Sequence, residues 1–176
     1  GERCMALPTV VAHEAIADEL VELVVQTAKR IKVGHANDPD TTMAPLVSTE
    51  HRDGVIKWIE TGVSEGAKLV LDGRCLTVPE HPGGFYLGPT IFDRVTEEMS
   101  VGREEIFGPV LCIIGYEDDD DAVRIANDSS YGLSGTITSG DVERAKDVAR
   151  KIRTGTLGLN GATWYGPEPP FGGRLL

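Results

Sequence analysis

The chain has 176 residues, 40% hydrophobic and 26% charged, enough for one domain with a core of its own. A formal net charge of −11 argues against a nucleic-acid surface and against docking on anionic lipid, because both would repel it. No apolar stretch approaches the roughly 20 residues that span a bilayer, and no basic region precedes an apolar core at the N-terminus, so a soluble, cytoplasmic protein with neither a membrane nor a nucleic-acid partner is expected.

In chain order, Thr9-Val10-Val11-Ala12 reads as a strand, and Ile16, Leu20, Leu23, Val24, Ala28 and Ile31 then recur at helical spacing. Val55, Trp58, Ile59 and Val63 mark a second helix, and Lys68-Leu69-Val70-Leu71 a short strand closed by Asp72-Gly73. Val110-Leu111-Cys112-Ile113-Ile114 is almost continuously apolar, the pattern of a strand covered on both faces. Asp118 to Asp121 open a helix through Ala122, Val123, Ile125 and Ala126. Gly135-Thr136-Ile137-Thr138 predicts a strand, Val142, Ala145, Val148 and Ile152 a helix, and Thr156-Leu157-Gly158-Leu159 a last strand. Such alternation predicts an α/β fold in three layers, a mainly parallel sheet with helices on both faces, over residues 1–176.

Two irregular stretches interrupt this plan, residues 34–45 and residues 77–89, and both read as long surface connections. The acidic run Glu117-Asp118-Asp119-Asp120-Asp121 is better explained by the positive end of a helix than by a cation. Cys4, Cys75 and Cys112 are an odd count without metal-type spacing, so neither a disulfide framework nor a metal site is expected.

Short motifs line up in a telling order. They run from Gly1-Glu2-Arg3-Cys4 through Lys32-Val33-Gly34, Asp38-Pro39-Asp40, Ala44-Pro45-Leu46, Gly66-Ala67 and Phe85-Tyr86-Leu87-Gly88-Pro89 to Glu104-Glu105-Ile106-Phe107-Gly108-Pro109-Val110. Ile125-Ala126-Asn127-Asp128, Tyr131-Gly132-Leu133-Ser134, Leu159-Asn160 and Pro170-Phe171-Gly172-Gly173 follow. Each motif is weak alone; in this order and spacing the whole chain resembles the catalytic domain of the aldehyde dehydrogenase superfamily. The resemblance implies a fold of that catalytic-domain type, a small-molecule aldehyde substrate, NAD or NADP as cofactor, and a complete protein that is a homo-oligomer. It also implies that the dinucleotide-binding domain lies ahead of Gly1 and is absent here, so that this chain is a portion inactive on its own.

Cys4 is the nucleophile by this resemblance. A thiolate suits the task, since it adds readily to a carbonyl and later leaves readily; a lone cysteine without the motif reads as an inert core residue. Glu105 corresponds to the glutamate that holds the nicotinamide ribose, and a carboxylate can accept from two neighbouring hydroxyls. Phe107 would rest against the nicotinamide end. On spacing alone Glu105 is a solvated charge and Phe107 a core anchor. The resemblance further makes Arg3, Thr163, Tyr165 and Phe171 candidates for the substrate pocket, although aromatic residues near a Gly-Pro turn are equally ordinary packing.

Some positions depart from the family pattern. Glu2 stands where a glutamine is usual and brings an extra negative charge beside the nucleophile, Pro8 follows unusually soon, and the chain ends in Arg174-Leu175-Leu176. A coenzyme A-acylating relative, a cysteine hydrolase and a noncatalytic interaction fragment remain open alternatives. For the hydrolase, none of His13, His35, His51 and His81 marks a Cys-His pair; all read as helix-flank or loop residues.

Overall fold

The computed structural model describes residues 1–161, 168 and 170–174. The chain divides into two compact units, Gly1–Gly115 and Tyr116–Leu176. The first contains strands β1 (Thr9–His13), β2 (Lys68–Leu71), β3 (Thr90–Asp93) and β4 (Val110–Tyr116), in the order β1-β4-β3-β2, with helices α1 (Glu14–Ala28), α2 (Thr49–Glu65) and α3 (Ser100–Arg103).

Helices cover both faces of this sheet, and the strands show why. Ile91 and Ile113 are buried in one cluster with Ala17, Val21 and Ala28 of α1. Their neighbours in sequence point the other way, as the two-residue period of a strand requires. On that second face α2 comes so close that a Cβ on Gly62 would lie 2.9 Å from Phe92 Cζ and 3.0 Å from Val101 Cγ1, and Cys112 Sγ lies 3.2 Å from the Val101 carbonyl of α3. Phe92 is fully buried there, a burial worth roughly 1.5–3 kcal/mol. The apolar run of β4 is thus a strand with no polar face, buried at Val110, Cys112, Ile113 and Ile114.

Strand β3, which the sequence did not announce, pairs parallel with β4, Ile91 opposite Leu111 and Phe92 opposite Cys112. Strand β2 pairs antiparallel with β3, with a register shift between Leu69 and Leu71. Between them the long connection closes on itself. Gly88 N–H donates to Gly73 O at 3.0 Å and Gly73 N–H to the buried Thr90 Oγ1 at 3.1 Å. A side chain at Gly73 would place its Cβ 1.9 Å from Gly88 O, so the pinch requires glycine.

The second unit holds α4 (Asp119–Asn127), β5 (Ser134–Ile137), α5 (Val142–Ala149) and β6 (Thr156–Leu159). Strands β5 and β6 pair in parallel across the α5 crossover and form a sheet of their own, where the sequence suggested a continuation of the first. The acidic run behaves as helix chemistry. Asp118 caps α4 by accepting from Asp121 N–H at 2.9 Å, Asp119 takes both arms of Arg144 at 2.7 Å, and Lys151 Nζ reaches Asp120 at 2.9 Å. The Arg124 guanidinium on Asp121 holds that carboxyl below the usual carboxylate range. Among the described residues no helix is long and apolar enough to cross a membrane.

Candidate active site

Cys4 lies in a tight turn of the first unit, closed by Ala6 N–H donating to Arg3 O at 2.9 Å, and its thiol is exposed, as is Arg3. The turn is anchored from behind: Pro8 O accepts from Cys112 N–H at 2.9 Å, which joins the approach to β1 onto β4. Pro8 has no N–H to offer the ladder, and at the mouth of a strand only its carbonyl is needed.

The segment of residues 104–109 meets this turn. A Cβ on Gly1 would lie 1.7 Å from Gly108 O, so the backbones touch where neither residue has a side chain. Gly108 in turn backs onto α2, its would-be Cβ 2.7 and 2.8 Å from the two γ-carbons of Val55. Ile106 is buried beneath the loop, whereas Glu105 is exposed and Phe107 keeps 38% of its surface open. Phe107 has φ 55, a left-handed conformation that a bulky residue rarely adopts and that costs about 1–2 kcal/mol. That cost is met by contacts that fix the loop, with the ring turned partly outward.

One such contact comes from α2. Ser48 caps the helix, its Oγ accepting from His51 N–H at 3.1 Å, which sets His51 on the first turn. His51 Nε2 then stands 2.9 Å from the Phe107 carbonyl and 3.0 Å from Glu2 Oε1. Both partners are acceptors, so Nε2 carries the hydrogen and donates. Glu2 Oε1 also accepts from Val47 N–H at 3.3 Å, placing a carboxylate at the positive end of α2. The extra charge of Glu2 is therefore engaged by the helix and by His51. With Nε2–H directed at these two acceptors, His51 offers no Nε2 lone pair to a Cys-His pair.

Of the residues singled out from sequence, the first unit brings the segments of Arg3, Cys4, Glu105 and Phe107 together. Phe171 belongs to the second unit and is 61% exposed. Thr163 and Tyr165 lie outside the described residues. Cys75 is exposed in a turn beyond β2, and Cys112 is buried, its thiol pushed up to about 12 by burial. His51 and Val47 escaped sequence reading because they meet Glu2 and Phe107 only through the fold, His51 being 56 positions from Phe107. The serine cap before His51 marks a helix start but carries no sign of a site. Among the described residues no cluster of three or more His, Cys, Asp or Glu could hold a metal ion.

A model of the aldehyde dehydrogenase family matches residues 1–175. The chain is 38% identical over 173 residues to a betaine aldehyde dehydrogenase of Bacillus subtilis, covering 98% of this chain and 35% of the relative. It is 44% identical over 174 residues to a 3-succinoylsemialdehyde-pyridine dehydrogenase of a Pseudomonas species, covering 98% of this chain and 36% of the relative. Among solved structures, a betaine aldehyde dehydrogenase from Staphylococcus aureus in complex with NAD+ superposes with a TM-score of 0.95 at 32% identity, over 99% of this chain and 35% of the other. An aldehyde dehydrogenase of Mycobacterium tuberculosis complexed with NAD+ does so with a TM-score of 0.90 at 40% identity, over 99% of this chain and 36% of the other. The chain thus spans about a third of the length of the relatives it matches. Its fold, the order of its motifs and these matches place it in the aldehyde dehydrogenase family.

Proposed function

We propose that this chain is the cysteine-bearing catalytic domain of an NAD(P)-dependent enzyme that oxidises an aldehyde to a carboxylic acid, homo-oligomeric and cytoplasmic in its complete form. The observation that carries this reading is the contact between the exposed Cys4 turn and the loop of Glu105 and Phe107, where Gly1 and Gly108 leave no room for a Cβ. Cys4 Sγ adds to the aldehyde carbon and gives a thiohemiacetal, whose oxidation leaves a thioester on Cys4; water then releases the acid and restores the thiol. The bound dinucleotide supplies the hydride acceptor for that oxidation.

The described residues fit such a cofactor at its nicotinamide end. Glu105 offers an exposed carboxylate suited to the ribose hydroxyls, and Phe107, held in its left-handed conformation, offers a partly open ring beside it. Arg3, next to Cys4 and exposed, is assigned to the approach of the substrate. The relatives' names span betaine aldehyde, geranial and a pyridine semialdehyde, so the shared chemistry is the aldehyde carbonyl and not one side chain. NAD+ in the matched structures supports the choice of cofactor, and a BME-modified cysteine in one Staphylococcus aureus structure supports a cysteine open to reagents in that relative.

The test is Glu105→Gln in the complete enzyme. Loss of a charge-assisted hydrogen bond costs roughly 1.5–3 kcal/mol, about ten- to a hundredfold in rate when felt in the transition state. Slower NADH or NADPH formation in that range, with an unchanged circular dichroism spectrum, is expected. Unchanged kinetics would make Glu105 a surface charge only.

A further inference from the structure

We propose that His51 is a positioning residue that clamps the nucleophile turn and the dinucleotide loop to each other through one imidazole N–H. The inference rests on the functional reading above for the roles of Cys4 and Phe107, but its geometry does not. His51 Nε2 is 2.9 Å from the carbonyl of Phe107 and 3.0 Å from the carboxylate of Glu2, two positions before Cys4. No third segment is needed to join the two, and the donor stands on the first turn of α2, a 17-residue helix whose Val55 and Ile59 are buried and whose start is fixed by Ser48.

The placement has a specific consequence at each end. On the loop side, the acceptor is the carbonyl of the residue held at φ 55, so the bond fixes the peptide plane that aims the Phe107 ring. On the nucleophile side, Glu2 accepts from both His51 and Val47 N–H, so the segment entering the Cys4 turn is held to the helix N-terminus by its side chain as well as by the Gly1–Gly108 approach. His51 and Glu2 are each only about one-third or less exposed, which shelters the pair from competing water. A dinucleotide seated against Phe107 and a thiol carried three residues after Gly1 would then keep a constant separation, the condition for efficient transfer between them. His51 touches neither reacting atom in this scheme; it acts through Phe107 and Glu2.

The experiment compares His51→Ala with His51→Gln in the complete enzyme, because a glutamine amide can present N–H donors near the place of Nε2–H whereas alanine removes them. Two readouts are taken: kcat/KM for the dinucleotide, and amide hydrogen exchange of residues 1–6 and 104–110. In His51→Ala, kcat/KM falls about tenfold, the order expected for one lost hydrogen bond to a charged or backbone acceptor, and exchange quickens in both segments together. His51→Gln restores both to within about threefold of the parent, since its longer, less rigid amide reaches the same acceptors. Parent-like exchange and kcat/KM in His51→Ala overturn the clamp, as does a folded His51→Gln protein that is as impaired as His51→Ala in both readouts. If the parent itself reduces no dinucleotide, the proposed oxidation fails while the exchange readout still decides the clamp: quickened exchange in both segments supports it, and unchanged exchange overturns it.

Discussion

Cys4 and Cys75 are both open to solvent, so exposure does not separate a nucleophile from a bystander; Cys112, at 1% exposure and pushed up to about 12, is out of contention. What distinguishes Cys4 is its turn, pinned between β4 and the loop that carries Phe107, where a substrate and a hydride acceptor would meet it. Iodoacetamide is therefore expected to modify Cys4 faster than Cys75 and to reach Cys112 only on unfolding, as peptide mass mapping can follow. Equal rates at Cys4 and Cys75 would leave no poised thiol. Phe107 gives a second test at the same scale. Glycine is ordinarily less stabilising than alanine, but at φ 55 alanine keeps the left-handed penalty that glycine escapes. Both variants lose the ring, so Phe107→Gly is expected to be more stable than Phe107→Ala by about 1 kcal/mol in urea unfolding, while both weaken dinucleotide binding. The opposite order of stability would mean that the loop does not hold this conformation in solution.

At the scale of elements, the candidate site is a stack in which the Cys4 segment rests on the 104–109 loop and the loop rests on α2. Gly108 is the middle layer. A methyl group there would meet Val55, which is 1% exposed and, being β-branched on a helix, has no free rotamer to retreat to. Gly108→Ala is expected to cost roughly 1–3 kcal/mol by overpacking, and Val55→Ala a further cost of its own from the space it leaves. Combined, the two changes should cost less than their sum, because the new methyl fills part of the vacated volume. Strict additivity in denaturant unfolding would show that the loop does not bear on the helix. The same stack shows what the sequence could and could not convey. Local patterns were legible: the all-apolar β4, the amphipathic α1 and α2, the acid-capped α4 and the β5-α5-β6 crossover all announce themselves by period and capping. Strand β3 did not, since four residues directly after a Pro-Gly-rich loop give no period to read. Strand β2 was legible as the short run Lys68–Leu71, but its antiparallel pairing was not, because its partner β3 gives no period to read. In the candidate site, Cys4, Glu105 and Phe107 are singled out by motif resemblance alone, whereas His51 is not, since a histidine after a serine cap looks like any helix flank until folding brings Glu2 and Phe107 to it.

At the scale of the whole molecule, folding and activity are expected to part company. The first unit has its own closed logic: β4 is buried on both faces by helices of this chain, α1 against Ile91 and Ile113, α2 and α3 against Phe92 and Cys112. The second has a complete crossover with capped helices tied by Asp119 to Arg144 and by Asp120 to Lys151. A purified chain of residues 1–176 should therefore give an α/β circular dichroism spectrum and a cooperative urea transition. Turnover is another matter. The chain spans about 35% of the length of a matched relative, and the groups proposed for the dinucleotide among the described residues, Glu105 and Phe107, would hold its nicotinamide end. Release of the proposed thioester calls for a base that draws water onto it, a contribution of about 10²- to 10⁴-fold in rate, and the groups proposed for the site, Cys4, Glu105 and Phe107, have other roles. A dinucleotide held by these two groups alone would lose the positioning that makes transfer effectively intramolecular. Mixing the folded chain with NAD+ or NADP+ and a series of aldehydes is therefore expected to yield no steady reduced dinucleotide, although Cys4 remains open to alkylation. Sustained turnover by the folded 176-residue chain would overturn this expectation and would require a base and a complete dinucleotide site within residues 1–176.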